Sequence, residues 1–389
     1  MGGAERSLVN FVTHVSRVHP SLVLIETAAD LLPELPHDLK IYSLETREPV
    51  PLSDSALASA RAAAASRRAG RPRGQTALEL PQLVRKARGL ARLARVTNAA
   101  AVSTFLNRSH TIALLAKVLF APRLRLIINV HEMLSDHLER FFSPMERRFM
   151  RTFIRYGFPR AEAIIAVSDG VKQDLVRHFS IASDRVTVVP NPVDLERVRR
   201  LGAEHVDIDD TSPLIVAVGR LVQLKGFDLL IRAFARLPSS LRARLVIVGE
   251  GDQRPTLERL ITELHVRDRV DLIGTQSNPW KYMSRADVVA LASRSEAYPN
   301  VIGEALALGR PVIATACSPG VAEYLDQGRY GLLVPPNDVD ALADGLERIL
   351  ADDTLRRELS VDAPARVESF GLQTVVERYD DLLLQAARA

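Results

Sequence analysis

The sequence predicts an α/β protein made of two doubly wound, Rossmann-like domains. Three observations carry this. Short apolar, β-branched runs alternate with helix-length segments along the whole chain. That is the pattern of strands buried on both faces and joined by helical crossovers. The 389 residues exceed what one hydrophobic core usually organises, so two domains are expected. Charge is also divided unevenly: residues 1–195 hold 27 Lys and Arg against 18 Asp and Glu, and residues 196–389 hold 24 against 29. The basic first half is the expected face for an anionic partner.

Composition narrows the class. Hydrophobic residues are 47% and charged residues 25%, a globular balance that excludes disorder, collagen and coiled coil as whole-chain descriptions. Cys317 is the one cysteine, so an intrachain disulfide and a cysteine-based zinc site are excluded, and a reducing compartment fits. No apolar run approaches the roughly 18 residues of a membrane-spanning helix. The opening MGGAERSLVN lacks an apolar core and does not read as a signal peptide.

In chain order, the first half offers strands at Leu22–Ile25, Ile41–Leu44, Ala101–Phe105, Leu126–Val130, Ala163–Val167 and Val186–Val189. The second offers Leu214–Val218, Leu245–Val248, Val270–Ile273, Val288–Leu291, Val312–Ala314 and Leu332–Val334. The Pro190-Asn191-Pro192 turn and the polar stretch 202–213 mark the boundary. The expected domains are 1–195 and 196–370, with a closing helix within 371–389, periodic over Leu372–Ala386, packing back on the first. Two facing domains leave a cleft lined by strand C-termini, where open α/β sheets bind ligands.

Two basic stretches stand out in the first half. Ala60–Gly74 carries Arg61, Arg67, Arg68, Arg71 and Arg73 without an acid and reads as a basic loop. Arg140–Arg160 interleaves aromatic residues with Arg147, Arg148, Arg151 and Arg155, as a helix on an anionic membrane surface would. A core helix with a solvated face fits the same pattern.

The segment Ser293–Leu306 carries the most chemistry. Pro299 is placed to open a helix, which puts Glu296 in a strand-to-helix loop and Glu304 about one turn inside. Backbone amides around Tyr298, Pro299, Asn300 and Val301 then offer an anion site. Glu296 is left to meet a neutral hydroxylated group, and Glu304 can accept two hydroxyl hydrogen bonds. Earlier, Val218-Gly219-Arg220 ends a strand and Lys225-Gly226 precedes a helix over Phe227–Leu237. Two cations on such a loop suit a diphosphate. Gly249-Glu250-Gly251 lacks the third glycine of a dinucleotide fingerprint, which counts against NAD.

These pieces resemble the donor domain of retaining family 4 glycosyltransferases of GT-B fold. The carriers are GRLVQLKGFDLLIRAFA, LVIVGEGDQRPTLE, the E-x7-E pair Glu296–Glu304, GRPVIATACSPGVAEYL and GLLVPPND, in the family's order over nearly all of 213–350. The resemblance implies that Arg220 and Lys225 bind the donor diphosphate, beside Gly219 and the backbone of Tyr298–Val301. It gives Glu304 the nucleotide ribose and Glu296 the donor sugar. The first half resembles the acceptor domain more loosely. Gly2 and Gly3 are similar to its acceptor loop, and Asn129-Val130-His131-Glu132 to a strand end that sets a histidine near the donor sugar. His131 would hydrogen-bond a sugar hydroxyl. In the family a central strand precedes the Gly-Gly loop. Here Gly2-Gly3 opens the sequence, so either the start lies upstream, the favoured expectation, or a core element is lacking.

The implied reaction is a metal-independent, hexosyltransferase-type transfer from a nucleoside diphosphate sugar to a glycan or lipid-linked acceptor, with no cofactor and no nucleic-acid partner. The expected place is the cytoplasm, peripheral at the inner membrane face, in cell-surface polysaccharide or glycolipid synthesis. Asp207-Ile208-Asp209 and Asp338-Val339-Asp340 spell D-x-D, but a linker position and a helix start explain them without metal. Competing readings are another GT-B enzyme, an epimerase or phosphorylase, and an inactive scaffold.

Overall fold

The computed structural model describes residues 3–24, 35, 39–43, 80–208 and 212–388. The basic loop 60–74, Gly2 and Asp209 lie outside them. The chain divides into two compact units, Met1–Pro192 with Gln373–Ala389, and Val193–Leu372.

In the first unit the elements run α1 (Gly3–His14), β1 (Ser21–Leu24), β2 (Lys40–Ser43), α2 (Leu80–Val96), β3 (Val102–Thr104), α3 (Asn107–Leu119), β4 (Leu126–Val130), α4 (Leu134–Phe141), α5 (Pro144–Gly157), β5 (Ala163–Ala166), α6 (Asp169–Phe179) and β6 (Val186–Val188). All strand pairs are parallel, as the buried apolar runs predict. The strands form two parallel ladders among the described residues, β1-β2 and β3-β4-β5-β6. Among the described residues no strand pairs with β1 on one side and β3 on the other.

The basic aromatic stretch is also broken, where a single helix was expected. Ser143 accepts from the Glu146 amide while Glu146 reaches back to the Ser143 amide at 2.8 Å. This capping box, with Pro144 in the first turn, starts α5 afresh after α4.

The second unit contains α7 (Leu195–Gly202), β7 (Leu214–Val218), α8 (Phe227–Ala235), β8 (Arg244–Val248), α9 (Arg254–Glu263), β9 (Val270–Gly274), α10 (Trp280–Met283), β10 (Val288–Leu291), α11 (Asn300–Ala307), β11 (Val312–Thr315), α12 (Pro319–Tyr324), β12 (Leu332–Val334), α13 (Val339–Ala351), α14 (Asp353–Val361) and α15 (Ala363–Glu368). Its parallel sheet has the order β12-β11-β10-β7-β8-β9. Strand order therefore reverses between β7 and β10, and a crevice opens beyond the carboxyl ends of strands at such a switch point. Ile215, Ala217, Leu245, Ile247 and Val288 are fully buried between the sheet and helices such as α8 and α13. Asp338 caps α13 by accepting from the Ala341 amide at 2.9 Å, and Asp340 pairs with Arg236.

The closing helix α16 (Leu372–Arg388) returns to the first unit. Its Tyr379 stacks on Phe11 at 4.0 Å and shares a 2.7 Å hydrogen bond with Ser103. Asp380, nearly fully buried, accepts the amides of Ser16 and Arg17 just past α1.

Candidate active site

The second unit gathers most of the predicted residues at the switch point. Gly219–Gly226 leaves β7 and Ser293–Pro299 leaves β10, and the two strands are neighbours. Gly226 lets the loops touch. Its φ is +62°, and a Cβ there would fall 1.9 Å from the Ala292 carbonyl oxygen. Gly249, with φ +151°, lies as close to the Gly219 carbonyl. Any side chain at either position would push the loops apart.

At this meeting Lys225 Nζ donates to Glu296 Oε1 at 2.5 Å, and Ser293 Oγ donates to the same oxygen at 2.7 Å. Thr315, at the end of β11, donates to the Ser293 carbonyl at 2.5 Å. Lys225 and Glu296 keep 24% and 12% of their side-chain surface exposed, so the pair is sheltered yet reachable. Cys317 lies beside it. Burial first, then the Glu296 charge, pushes its thiol up to about 11.

Sequence reading missed the clamp that holds these loops together. Arg294 makes two 2.7 Å bonds to the Asp228 carboxylate, and its guanidinium donates to the Gln223 carbonyl at 2.8 Å. Its own amide donates to the Leu224 carbonyl. Burial alone would raise the Asp228 carboxyl, but the Arg294 hydrogen bonds and charge hold it below its ordinary value. The available signal was a planar fork on one loop already singled out and a carboxylate in the first turn of the helix that follows the other.

Pro299 is the residue before α11 rather than its first member, at φ −77° and ψ 114°. The proline ring disfavours helical geometry in the preceding residue, Tyr298. The Tyr298 side chain turns inward and stacks on Tyr324 at 4.2 Å, with the Phe370 edge at 6.1 Å. Burial, then the neighbouring Tyr324, raises the Tyr298 hydroxyl well above its ordinary value. Only backbone at Tyr298 is therefore offered to a ligand. Glu304 lies inside α11, 7% exposed. Arg220 is exposed, and its side chain has no partner among the described residues.

In the first unit, His131 follows β4. It is half-buried, and its Nδ1 is enclosed without a hydrogen-bond partner among the described residues. The ring stacks on Phe105 at 5.6 Å. Burial lowers the imidazole to about 4, against a hydrogen bond with Asn191 that raises it. His131 is therefore neutral near pH 7 and able to donate from one ring nitrogen and accept at the other. Asn191, read from sequence only as part of a hinge, accepts from Ser7 of α1 at 2.7 Å. Gly3 is the first residue of α1. Behind His131, Asn129 donates to Ser103 Oγ and to the Thr104 carbonyl at 2.8 and 2.9 Å.

Among the described residues, no group of three or more His, Cys, Asp or Glu side chains is placed to hold a metal ion. The positive charge around Glu296 comes from Lys225.

The sequence pattern described as Glycosyltransferase Family 4 matches residues 1–197, and that described as Glycosyl transferases group 1 matches residues 202–366. Over 267 residues the chain is 35% identical to the N-acetylgalactosamine-N,N'-diacetylbacillosaminyl-diphospho-undecaprenol 4-alpha-N-acetylgalactosaminyltransferase of Campylobacter jejuni subsp. jejuni serotype O:2, covering 68% of this chain and 71% of that enzyme. It is 33% identical over 199 residues to the lipopolysaccharide core biosynthesis glycosyltransferase LpsE of Rhizobium meliloti, covering 51% of this chain and 57% of LpsE. The crystal structure of Anabaena HepE in complex with UDP and glucose superposes with a TM-score of 0.75 at 20% identity, over 98% of this chain and 96% of HepE. The chain belongs to glycosyltransferase family 4, has the GT-B fold and is a glycosyltransferase.

Proposed function

We propose that the enzyme moves a hexosyl group, with retained anomeric configuration and without a metal, from a nucleoside diphosphate sugar to a hydroxyl of a glycan or lipid-linked acceptor. The observation that carries this is the Lys225–Glu296 pair at the switch point, beside the amino end of α11. A lysine ammonium and the amides of a helix amino end suit a leaving diphosphate. Arg220, exposed on the same loop, adds a bidentate fork.

In the proposed step the bond from the anomeric carbon to the diphosphate oxygen breaks, and a bond to the acceptor oxygen forms on the same face. The acceptor proton passes to the departing phosphate. Arg220, Lys225 and the Tyr298–Val301 amides stabilise the charge that develops there. Glu296 accepts from hydroxyls of the donor sugar, Glu304 accepts from the ribose, and neutral His131 hydrogen-bonds a sugar hydroxyl. Gly2 and Gly3 are proposed to lie near the acceptor.

Relatives support the substrate class. The Campylobacter enzyme is named for a diphospho-undecaprenol acceptor, and HepE was solved with UDP. Among the described residues no helix is long and apolar enough to cross a membrane. Contact with an anionic membrane is proposed instead through α4 and α5. Phe141, Met145, Phe149 and Tyr156 are exposed there beside Arg148, Arg151 and Arg155. The proposed location is accordingly the inner face of the cell membrane.

The test supplies purified enzyme with nucleotide sugars, with and without polyprenyl-diphosphate glycans, in the presence of a chelator. Free nucleoside diphosphate should accumulate only with acceptor, and the product linkage should keep the donor's anomeric configuration by NMR. Conversion of the sugar without acceptor would establish an epimerase instead. Loss of activity to the chelator would remove the metal-free part of the proposal.

A further inference from the structure

We propose that the second unit carries a separate binding site for a phosphoryl group, at the amino-terminal edge of its sheet. A concavity of about 560 Å³ lies there, lined by Ser239, Arg242, Arg244, His265, Asp268 and Arg269 among others. That volume falls within the range of small-ligand sites. Its residues stand at the start of β8 and just before β9. Lys225 and Glu296 follow the opposite ends of the strands, and five residues of strand separate the two edges by about 17 Å. The two sites cannot share one small ligand.

Its charge points to an anion. Arg244 is paired with Asp271 at 2.9 Å, which among the described lining residues leaves Arg242 and Arg269 against the one carboxylate of Asp268. The Arg242 side chain has no partner among the described residues. Arg269 lies with its guanidinium 5.1 Å from the Phe234 ring, which covers one face. Its Nη1 is buried and has no acceptor among the described residues. A buried cationic donor without an acceptor is costly, and a bidentate oxyanion fits the guanidinium fork.

The backbone holds these side chains in place. The Arg244 amide donates to the Pro213 carbonyl and the Leu245 amide to the Arg269 carbonyl, both at 2.8 Å. Arg242 and His265 both adopt positive φ, at +49° and +55°. Such conformations are uncommon for long side chains, and here both occur on one wall. The Ser239 hydroxyl and the His265 ring add hydrogen-bonding capacity beside the guanidinium groups.

The test uses the whole protein carrying Lys225→Ala, so that the nucleotide crevice contributes little, and inorganic phosphate as the probe in calorimetric titration. Phosphate binding is expected, and adding Arg242→Ala or Arg269→Gln should weaken it at least tenfold. Arg242 is exposed, so its substitution remains a valid test should Arg269→Gln fail to fold. A second arm measures co-sedimentation with phosphatidylcholine vesicles with or without phosphatidic acid. Loss in the phosphate arm assigns a soluble phosphorylated ligand. Loss confined to the phosphatidic acid vesicles assigns a lipid headgroup. If neither arm responds to either substitution, the proposal is wrong.

Discussion

Lys225 and Glu296, 71 residues apart in sequence, meet at 2.5 Å where strand order reverses in the second unit. The glutamate thus offsets the lysine charge, and in the proposed reaction the donor diphosphate competes with it for the ammonium. Lys225→Ala should lower turnover about 100-fold or more, the scale for losing one charge-stabilising donor. Glu296→Gln should also slow turnover, yet tighten nucleoside diphosphate binding severalfold, because the ammonium loses its competitor. Titration calorimetry with the diphosphate checks this, and weaker binding by Glu296→Gln would contradict the pairing argument.

The Arg294–Asp228 clamp makes a prediction about stability. Asp228→Asn should cost about 1–2 kcal/mol, a charge-assisted bidentate contact on a partly exposed surface. The Asp228 carboxyl lies below its ordinary value in the folded protein. Its contribution is therefore present above the unfolded carboxylate range and lost as pH falls through the folded value. Denaturant midpoints of wild type and Asp228→Asn should stay apart down to the ordinary carboxylate range and converge only below it.

His131 and His110 predict acid sensitivity higher on the pH scale. Burial lowers them to about 4 and about 3, from an ordinary 6.5. Both bind protons in the unfolded chain before they do when folded. Stability they contribute is full above pH 6.5 and falls as pH drops toward 4 for His131 and toward 3 for His110. His110→Gln should flatten that slope in urea melts and leave the slope above pH 7 unchanged.

Asn191 predicts an effect on His131 rather than on stability alone. Asn191→Ala removes both the Ser7 acceptor and the imidazole partner. The ring tautomer of His131, read from its ¹⁵N shifts, should lose its single form, and turnover should fall about tenfold. An unchanged nitrogen spectrum would show that Asn191 serves packing only.

Gly303 lies on the face of α11 against Tyr324, where a Cβ would fall 2.1 Å from the tyrosine hydroxyl oxygen. Gly303→Ala should cost about 1–3 kcal/mol through overpacking. The Tyr324 hydroxyl is buried without a hydrogen-bond partner among the described residues. Tyr324→Phe should therefore be near neutral alone and recover part of the Gly303→Ala loss, measured as a double-mutant cycle in thermal melts.

By itself the sequence determined the strands and their direction. β4, β7, β10 and β12 begin and end where their apolar runs do, since a strand buried on both faces needs apolar residues throughout and polar ones at its ends. It also marked Lys225 and Glu296 on loops after such strands, and Glu304 in the helix that follows one of them, because such positions are where α/β sheets keep their ligand groups. Tertiary structure alone decided the rest. The inward turn of Tyr298, the Arg294–Asp228 clamp and the Asn191–His131 contact all join residues with no local periodicity between them. Which strand lies beside which is set by how helices pack across the whole sheet, and only that packing brings Lys225 against Glu296.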